Sequence, residues 1–135
     1  MKNNQIHSTA VIEPGAQIAD DVSIGPFSFI GSDVILRSGV QIKSHVVVTG
    51  MTEIGEKTVI YPFAVIGEIP QDLKFEGEKT NLKIGKRNQI REHVTINTGT
   101  ELGGGLTSIG NDCLFMTGSH VAHDVEIQNK VIIAN

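Results

Sequence analysis

The chain is poor in the residues that usually fill a rounded protein core. Its 135 residues include no Trp, one Tyr and five Phe, although 39% of them are hydrophobic. Large aromatic side chains normally contribute much of such a core, so the apolar mass must be of another kind. It consists mainly of 18 Ile and 13 Val, and β-branched side chains favour strands over helices. The composition therefore argues against a helical bundle and predicts an all-β fold.

Other absences restrict the location and the partners of the protein. A single cysteine, Cys113, excludes an internal disulfide bond. The formal net charge of −4 argues against binding of nucleic-acid phosphates, which requires an excess of basic residues. No stretch approaches the roughly 18 unbroken apolar residues that span a bilayer, and the first ten residues lack the apolar centre of a signal peptide. We therefore expect a cytoplasmic protein without a membrane span or a nucleic-acid partner.

The most informative feature is an internal repeat with a period of six residues. An aliphatic anchor recurs in the order Ile6, Ile12, Ile18, Ile24, Ile30, Leu36, Ile42, Val48, Ile54, Ile60 and Ile66. Neither a helical period of 3.6 nor a strand alternation of two produces this spacing. Three hexads make a triangular coil of about 18 residues, and stacked coils form a parallel β-solenoid. Residues 1–135 are predicted to form one β-helix domain of about seven coils.

The repeat is interrupted once in a way that predicts an external loop. The anchors expected at positions 72 and 78 are Asp72 and Glu78, so the chain should leave the solenoid between Ile66 and Ile84. The pattern then resumes with Ile84, Ile90, Ile96 and Leu102, gains one residue, and continues from Ile109. The glycines at 103–105 are predicted to form a tight corner, because no helix and no P-loop lysine follows them. The repeat stops at residue 135 without a polar cap, which predicts a piece of a longer protein.

Five segments carry a resemblance to a known family. They are SHVVV (residues 44–48), IGEIPQDLKF (66–75), RNQIREHVTIN (87–97), GGGLT (103–107) and SHVAHDV (119–125). In this order, and with the hexad repeat, they resemble the UDP-N-acetylglucosamine 3-O-acyltransferases of lipid A synthesis, a family of hexapeptide-repeat acyltransferases. The resemblance implies a left-handed parallel β-helix and a homotrimer with active sites between subunits. It also implies transfer of a 3-hydroxyacyl group from acyl carrier protein to the 3-hydroxyl of UDP-N-acetylglucosamine, with no bound cofactor.

By this resemblance, His123 and Asp124 are the catalytic pair. The reaction needs a general base that removes the proton of the sugar hydroxyl while its oxygen attacks the thioester. Imidazole titrates near neutral pH, and a carboxylate can hold the ring in one tautomer and stabilise the imidazolium. Without the resemblance, His123 is better explained as a surface histidine at a solenoid turn.

The resemblance implies five further substrate-binding residues. Gln71, Asp72 and Lys74 lie in the predicted loop, where a carboxylate can accept hydrogen bonds from sugar hydroxyls and an ammonium can offset negative charge. His120 lies three residues before His123 and is expected to help place the acyl chain or the sugar. Asn97 stands where the family usually has a histidine, so a contact with the nucleotide phosphate there is in question.

Two other readings of the sequence stay open. In the first, the chain is a non-catalytic solenoid module. Members of the family that it resembles continue through further coils and a helical part, which contribute additional substrate and acyl-chain contacts. In the second, His120 and His123 bind a metal as in the γ-class carbonic anhydrases, which share this fold. That site would need a third histidine such as His45 or His93, and we predict no metal. A basic cluster of Lys83, Lys86, Arg87 and Arg91 would suit the acidic acyl carrier protein or be a solvated face.

Overall fold

The chain folds into a left-handed parallel β-helix. The computed structural model describes residues 5–135, and residues 1–4 of the predicted domain lie outside the described residues. It contains 19 short strands, and every pairing between them is parallel. Between residues 5 and 135 no helix is long and apolar enough to cross a membrane. The predicted all-β solenoid is therefore confirmed.

Successive strands belong in turn to three sheets, one on each side of a triangular prism. The first sheet contains β1 (Gln5–Ile6), β4 (Ser23–Ile24), β7 (Gln41–Ile42), β10 (Val59–Ile60), β13 (Gln89–Ile90), β16 (Leu114–Phe115) and β19 (Ile132–Ile133). The second contains β2 (Val11–Ile12), β5 (Phe29–Ile30), β8 (Val47–Val48), β11 (Val65–Glu68), β14 (Thr95–Asn97) and β17 (His120–Val121). The third contains β3 (Gln17–Ile18), β6 (Ile35–Leu36), β9 (Met51–Ile54), β12 (Asn81–Ile84), β15 (Leu106–Ile109) and β18 (Glu126–Ile127).

The hexad anchors form the core of the prism. In the first sheet, Ile24, Ile42, Ile60, Ile90 and Phe115 lie one above another in register, and all are at most 2% exposed. Burial of each such side chain contributes about 2 kcal/mol to folding. Residues four positions after an anchor are also inside in the central coils, where Val34, Val46 and Ala64 are fully buried. A prism this narrow is filled by Ile and Val, which explains the scarcity of large aromatic residues.

The three sheets meet at three corners, which we name by their place in each coil. At the first corner, between the first and second sheets, Phe27, His45, Phe63 and His93 adopt positive φ values of 56–68°. Their rings stack with centroids 5.2 Å apart from one coil to the next. At the third corner, between the third sheet and the next coil, charged residues occupy the same turn position.

The second corner, between the second and third sheets, is interrupted in two adjacent coils. The long loop (residues 69–80) separates β11 from β12, and the short loop (residues 98–105) separates β14 from β15. The long loop was predicted, whereas the short loop was not. The prediction that Leu102 is an inward anchor is wrong, because its side chain is 87% exposed. The anchor Ile96 is followed by Ile109, and Leu102 falls on the step of six only by coincidence.

Candidate functional site

His123 and Asp124 lie at the second corner, in the turn between β17 and β18. Asp124 has a positive φ of 64°, and its backbone N–H donates to Oγ1 of Thr107 at 2.8 Å. This turn brings Oδ2 of Asp124 to 2.8 Å from Nδ1 of His123. The imidazole is 33% exposed and the carboxylate 13% exposed. The two neighbours in sequence are therefore also partners in space, with the histidine on the side of the solvent.

The short loop surrounds the carboxylate of Asp124. The backbone N–H of Thr100 donates to Oδ1 at 2.7 Å, and the Thr100 hydroxyl donates to Oδ2. Burial tends to raise the pKa of Asp124, but hydrogen bonds from Thr100 and His123 outweigh it and hold that pKa below its ordinary value. The carboxylate is thus ionised at neutral pH. The ionised carboxylate can accept a hydrogen bond from Nδ1 of His123, and that arrangement would leave the lone pair of the imidazole on Nε2.

His120 lies on the outer face of the second sheet, in β17, the strand that precedes the turn with His123 and Asp124. Its Nδ1 is 2.7 Å from Oγ1 of Thr95 on the neighbouring strand. His45 and His93, the possible further metal ligands, are instead stacked at the first corner. Over residues 5–135 the structure contains no group of three or more potential metal ligands. The arrangement of the histidines therefore gives the metal reading no support.

The long loop carries Asp72 and Lys74 to one wall of a cleft of about 350 Å³, whereas Gln71, on the same loop, is exposed and does not line it. Oδ1 of Asp72 accepts the backbone N–H of Lys74 at 3.0 Å, and its carbonyl accepts that of Phe75. This turn exposes Gln71 and aligns Asp72 and Lys74 along the cleft. The cleft is lined by Asp72, Lys74, Phe75, Glu76 and Glu78 of the long loop and by Thr100, Glu101 and Leu102 of the short loop.

The charge of this cleft is mainly negative, since four carboxylates and one ammonium line it. Such a surface suits hydroxyl and amide donors better than a diphosphate, which would be repelled. The short loop forms its second wall and at the same time holds Asp124. Asp72 and Lys74 of the long loop therefore lie on one side of the short loop, and His123 and Asp124 lie on its other side.

Asn97 is buried beneath the two loops, with 5% of its surface exposed. Its Nδ2 donates to the carbonyl of Glu68 at 3.3 Å, while its Oδ1 has no hydrogen-bond partner among the described residues. The side chain is thus outside the cleft that Asp72 and Lys74 line. Its role as a substrate contact stays a prediction, and the burial of Oδ1 gives that role no support.

The basic cluster is largely neutralised by nearby carboxylates. Lys86 pairs with Glu56 at 3.3 Å, Arg87 with Asp112 at 2.8 Å, and Arg91 with Glu92 at 2.9 Å. Arg91 also lies over the ring of Tyr61. These contacts favour the reading of a solvated face over that of a free basic patch.

Three residues that shape the second corner around Asp124 were not predicted from the sequence. Thr100 and Thr107 bond to the side chain and the backbone of Asp124, and Gly103 packs against its carboxylate. The signal available was the insertion between Ile96 and Ile109, which could have been read as a second loop. The contact with Asp124 joins residues 24 positions apart, and no periodicity encodes it.

Comparisons with known proteins agree with this architecture. Residues 15–50 match the family described as bacterial transferase hexapeptide (six repeats). The acyl-[acyl-carrier-protein]–UDP-N-acetylglucosamine O-acyltransferase of Rickettsia canadensis is 53% identical over 124 residues, which cover 92% of this chain and 47% of that protein. The same-named protein of Rickettsia bellii is 52% identical over 127 residues, which cover 94% of this chain and 45% of the relative.

Solved structures give the same result. A crystal structure of a UDP-N-acetylglucosamine acyltransferase superimposes with a TM-score of 0.96 at 47% identity, covering 97% of this chain and 51% of the other. The corresponding acyltransferase of Bacteroides fragilis gives a TM-score of 0.92 at 45% identity, covering 96% and 50%. The chain thus spans about half the length of the curated relatives it matches.

Proposed function

We propose that this chain, which belongs to the UDP-N-acetylglucosamine acyltransferase family, carries the catalytic pair of an enzyme that acylates UDP-N-acetylglucosamine. The reaction would transfer a 3-hydroxyacyl group from acyl carrier protein to the sugar 3-hydroxyl, the first step of lipid A synthesis. The observation that carries the proposal is the His123–Asp124 pair at the second corner. The names of the relatives support the substrate and the acyl donor.

In this mechanism His123 acts first as a base and then as an acid. Its Nε2 removes the proton of the 3-hydroxyl while the hydroxyl oxygen attacks the thioester carbonyl carbon. The new C–O bond forms, the C–S bond then breaks, and the departing sulfur takes the proton from the imidazolium. Asp124 accepts the Nδ1 hydrogen throughout and stabilises the positive ring. The thioester supplies the activated acyl group, so the scheme requires no cofactor.

The remaining candidates would place the substrates. Asp72, with Gln71 beside it, would accept and donate hydrogen bonds to hydroxyl or amide groups, in keeping with the negative cleft. Lys74 would supply the one positive charge of that cleft, and His120 would contact the substrate from the outer face of the second sheet. Asn97, which is buried, would act indirectly by holding the carbonyl of Glu68 where the long loop begins. A diphosphate would lie outside the cleft, away from its carboxylates.

The proposal extends to assembly and location. The outer face of the second sheet carries a row of apolar side chains, Val11, Phe29, Val47 and Val65, and Val11 is 56% exposed. A second copy packed against this row would lie beside His120 on the same face. This row supports an interface between copies of the chain. The homotrimer with sites between subunits and the cytoplasmic location are proposed from the family resemblance. Residues 1–135 would form one domain, in keeping with the single continuous core.

The test is an acyl-transfer assay with UDP-N-acetylglucosamine and acyl carrier protein thioesters. It is run on this chain and on a relative of full length that carries the matching substitutions. His123→Ala should lower kcat about 10²- to 10⁴-fold, with an unchanged far-ultraviolet circular dichroism spectrum. The matched control is His45→Ala, which removes an exposed histidine at the first corner and should retain full turnover. Equal turnover in both variants would refute the role of His123.

A further inference from the structure

The carboxylate of Asp124 is fixed by a single residue of the short loop. Thr100 donates from its backbone N–H to Oδ1 at 2.7 Å and from its hydroxyl to Oδ2. The two oxygens of the carboxylate are therefore held by two donors of one residue. Oδ2 is also the oxygen that faces Nδ1 of His123, so the Thr100 hydroxyl and the imidazole share the same acceptor atom.

The direction of the Thr100 hydroxyl is also determined. Oγ1 of Thr100 accepts the backbone N–H of Gly103 at 3.1 Å. Because that oxygen is an acceptor toward Gly103, its own hydrogen is available for Asp124. The side chain lies in a residue that is only 5% exposed, so water does not compete for this hydrogen. The chain of donors therefore runs from Gly103 through Thr100 to Asp124.

The short loop closes tightly on the carboxylate. A Cβ atom at Gly103 would overlap both Cγ and Oδ2 of Asp124, and one at Gly99 would overlap the backbone at Leu106. The loop is tied to the neighbouring coil by hydrogen bonds from Gly99 to the carbonyl of Asn81, at 3.2 Å, and from Asn81 to that of Gly105, at 2.9 Å. Thr100 is thus a fixed point against which Asp124 is set.

We propose that Thr100 is a positioning residue, which orients Asp124 so that His123 keeps its proton on Nδ1 and its lone pair on Nε2. The catalytic consequence rests on the proposed function, whereas the tautomer does not. Without the Thr100 hydroxyl the carboxylate is held by the backbone N–H of that residue through Oδ1 alone. Oδ2 is then less firmly set against Nδ1, and the neutral imidazole loses part of its preference for one nitrogen. The hexad repeat does not predict this role of Thr100, because the short loop is an insertion into the repeat.

The first test reads the tautomer without any turnover. Nitrogen-15 NMR of this chain, at a pH where the imidazole is neutral, should show His123 mainly in the Nδ1–H form. Thr100→Val removes the hydroxyl and keeps the shape, and it should shift His123 toward a mixture of both tautomers. Thr100→Ser restores the hydroxyl and should restore the wild-type spectrum. The matched control is Thr58→Val. The Thr58 hydroxyl donates to the carbonyl of Gly85 in another coil, so its loss should leave the tautomer of His123 unchanged.

The second test is kinetic and uses the acyl-transfer assay. Thr100→Val should lower kcat about 10- to 100-fold with little change in KM, because a misplaced base slows the chemical step more than binding. Thr100→Ala, which keeps the backbone donor, serves as the second variant if Thr100→Val does not fold. A wild-type tautomer and an unchanged kcat in a folded Thr100 variant would overturn the proposal. Absence of turnover in the wild-type protein, with the tautomer shift still present, would instead refute the proposed function.

Discussion

The first and second corners are built from the same hexad repeat, but the first is regular and the second is interrupted by loops. At the first corner each coil repeats its predecessor, and the side chains Phe27, His45, Phe63 and His93 stack at a constant 5.2 Å. At the second corner two adjacent coils are interrupted by loops, and the turn residue of the next coil is Asp124. The first corner therefore extends the scaffold, while the second one concentrates buried polar contacts.

The difference shows how a solenoid acquires a site. At the first corner the ring-bearing turn residues lie on the surface, where Phe27 is 63% and Phe63 is 51% exposed, so none of these rings is enclosed. An inserted loop covers the corner of the adjacent coil and removes water from it. Enclosure strengthens the hydrogen bonds to Asp124 and makes each unpartnered polar atom costly. The buried Oδ1 of Asn97 and the held carboxylate of Asp124 both lie where the loops cover the prism.

The largest expected effect on stability comes from adding a methyl group beside the second corner, and the same change at the first corner serves as its comparison. Gly67 lies at the bulge of β11 that leads into the second corner. Its φ is 90°, and a Cβ atom there would overlap the carbonyl oxygen of Thr49 and Oγ1 of Thr52. Gly67→Ala combines backbone strain with overpacking and should destabilise the fold by about 3–5 kcal/mol. Chemical denaturation followed by circular dichroism measures this change.

The matched variant is Gly118→Ala at the first corner. Gly118 has a φ of 77°, with no atom within 4 Å of an added Cβ, so only the strain of about 1 kcal/mol applies. Four non-glycine residues already adopt this conformation at the same corner. Equal destabilisation by both variants would show that the second corner is no more tightly packed than the first.

Sequence predicts the regular corner and the long loop, but not the short loop or its contacts, for a physical reason. The anchors Ile54, Ile60 and Ile66 obey a local rule, since each fills the inward position of its strand in the prism, and their period is visible in the sequence. The contact between Thr100 and Asp124 obeys no period, because it depends on how far the short loop folds back over the next coil. His123 and Asp124 were identified through their motif, while the residue that holds them was not.

The second prediction concerns the pH dependence of stability at Asp124. Its pKa is lowered in the folded state, so the stabilisation is present above the unfolded pKa, near 3.9, and is lost as the pH falls through the folded pKa. Urea denaturation of the wild type between pH 7 and pH 2 should therefore show a decline below about pH 4. Asp124→Asn should be less stable at pH 7 and should lose the part of the decline that this group causes.

A comparison with the third corner tests the origin of this effect. Asp112 also has a lowered pKa, caused by the side-chain hydrogen bond and the charge of Arg87, and both partners are exposed. Salt at about 1 M should screen the contribution of that exposed pair. The contribution of Asp124, which comes from enclosed hydrogen bonds, should persist in salt. Equal sensitivity of both to salt would indicate that the short loop does not exclude water.

The smallest expected effect comes from the residue at which the repeat and the structure disagree. Leu102 occupies a position that the step of six assigns to the core, yet its side chain is 87% exposed on the short loop. Leu102→Ser should therefore change the free energy of unfolding by less than about 0.5 kcal/mol. The same substitution at Leu82, which is 1% exposed, should cost roughly 3–5 kcal/mol, because it leaves a cavity and buries a hydroxyl. If denaturation shows a comparable loss for both variants, the chain continues its regular coil through residue 102, and the short loop that holds Asp124 does not exist.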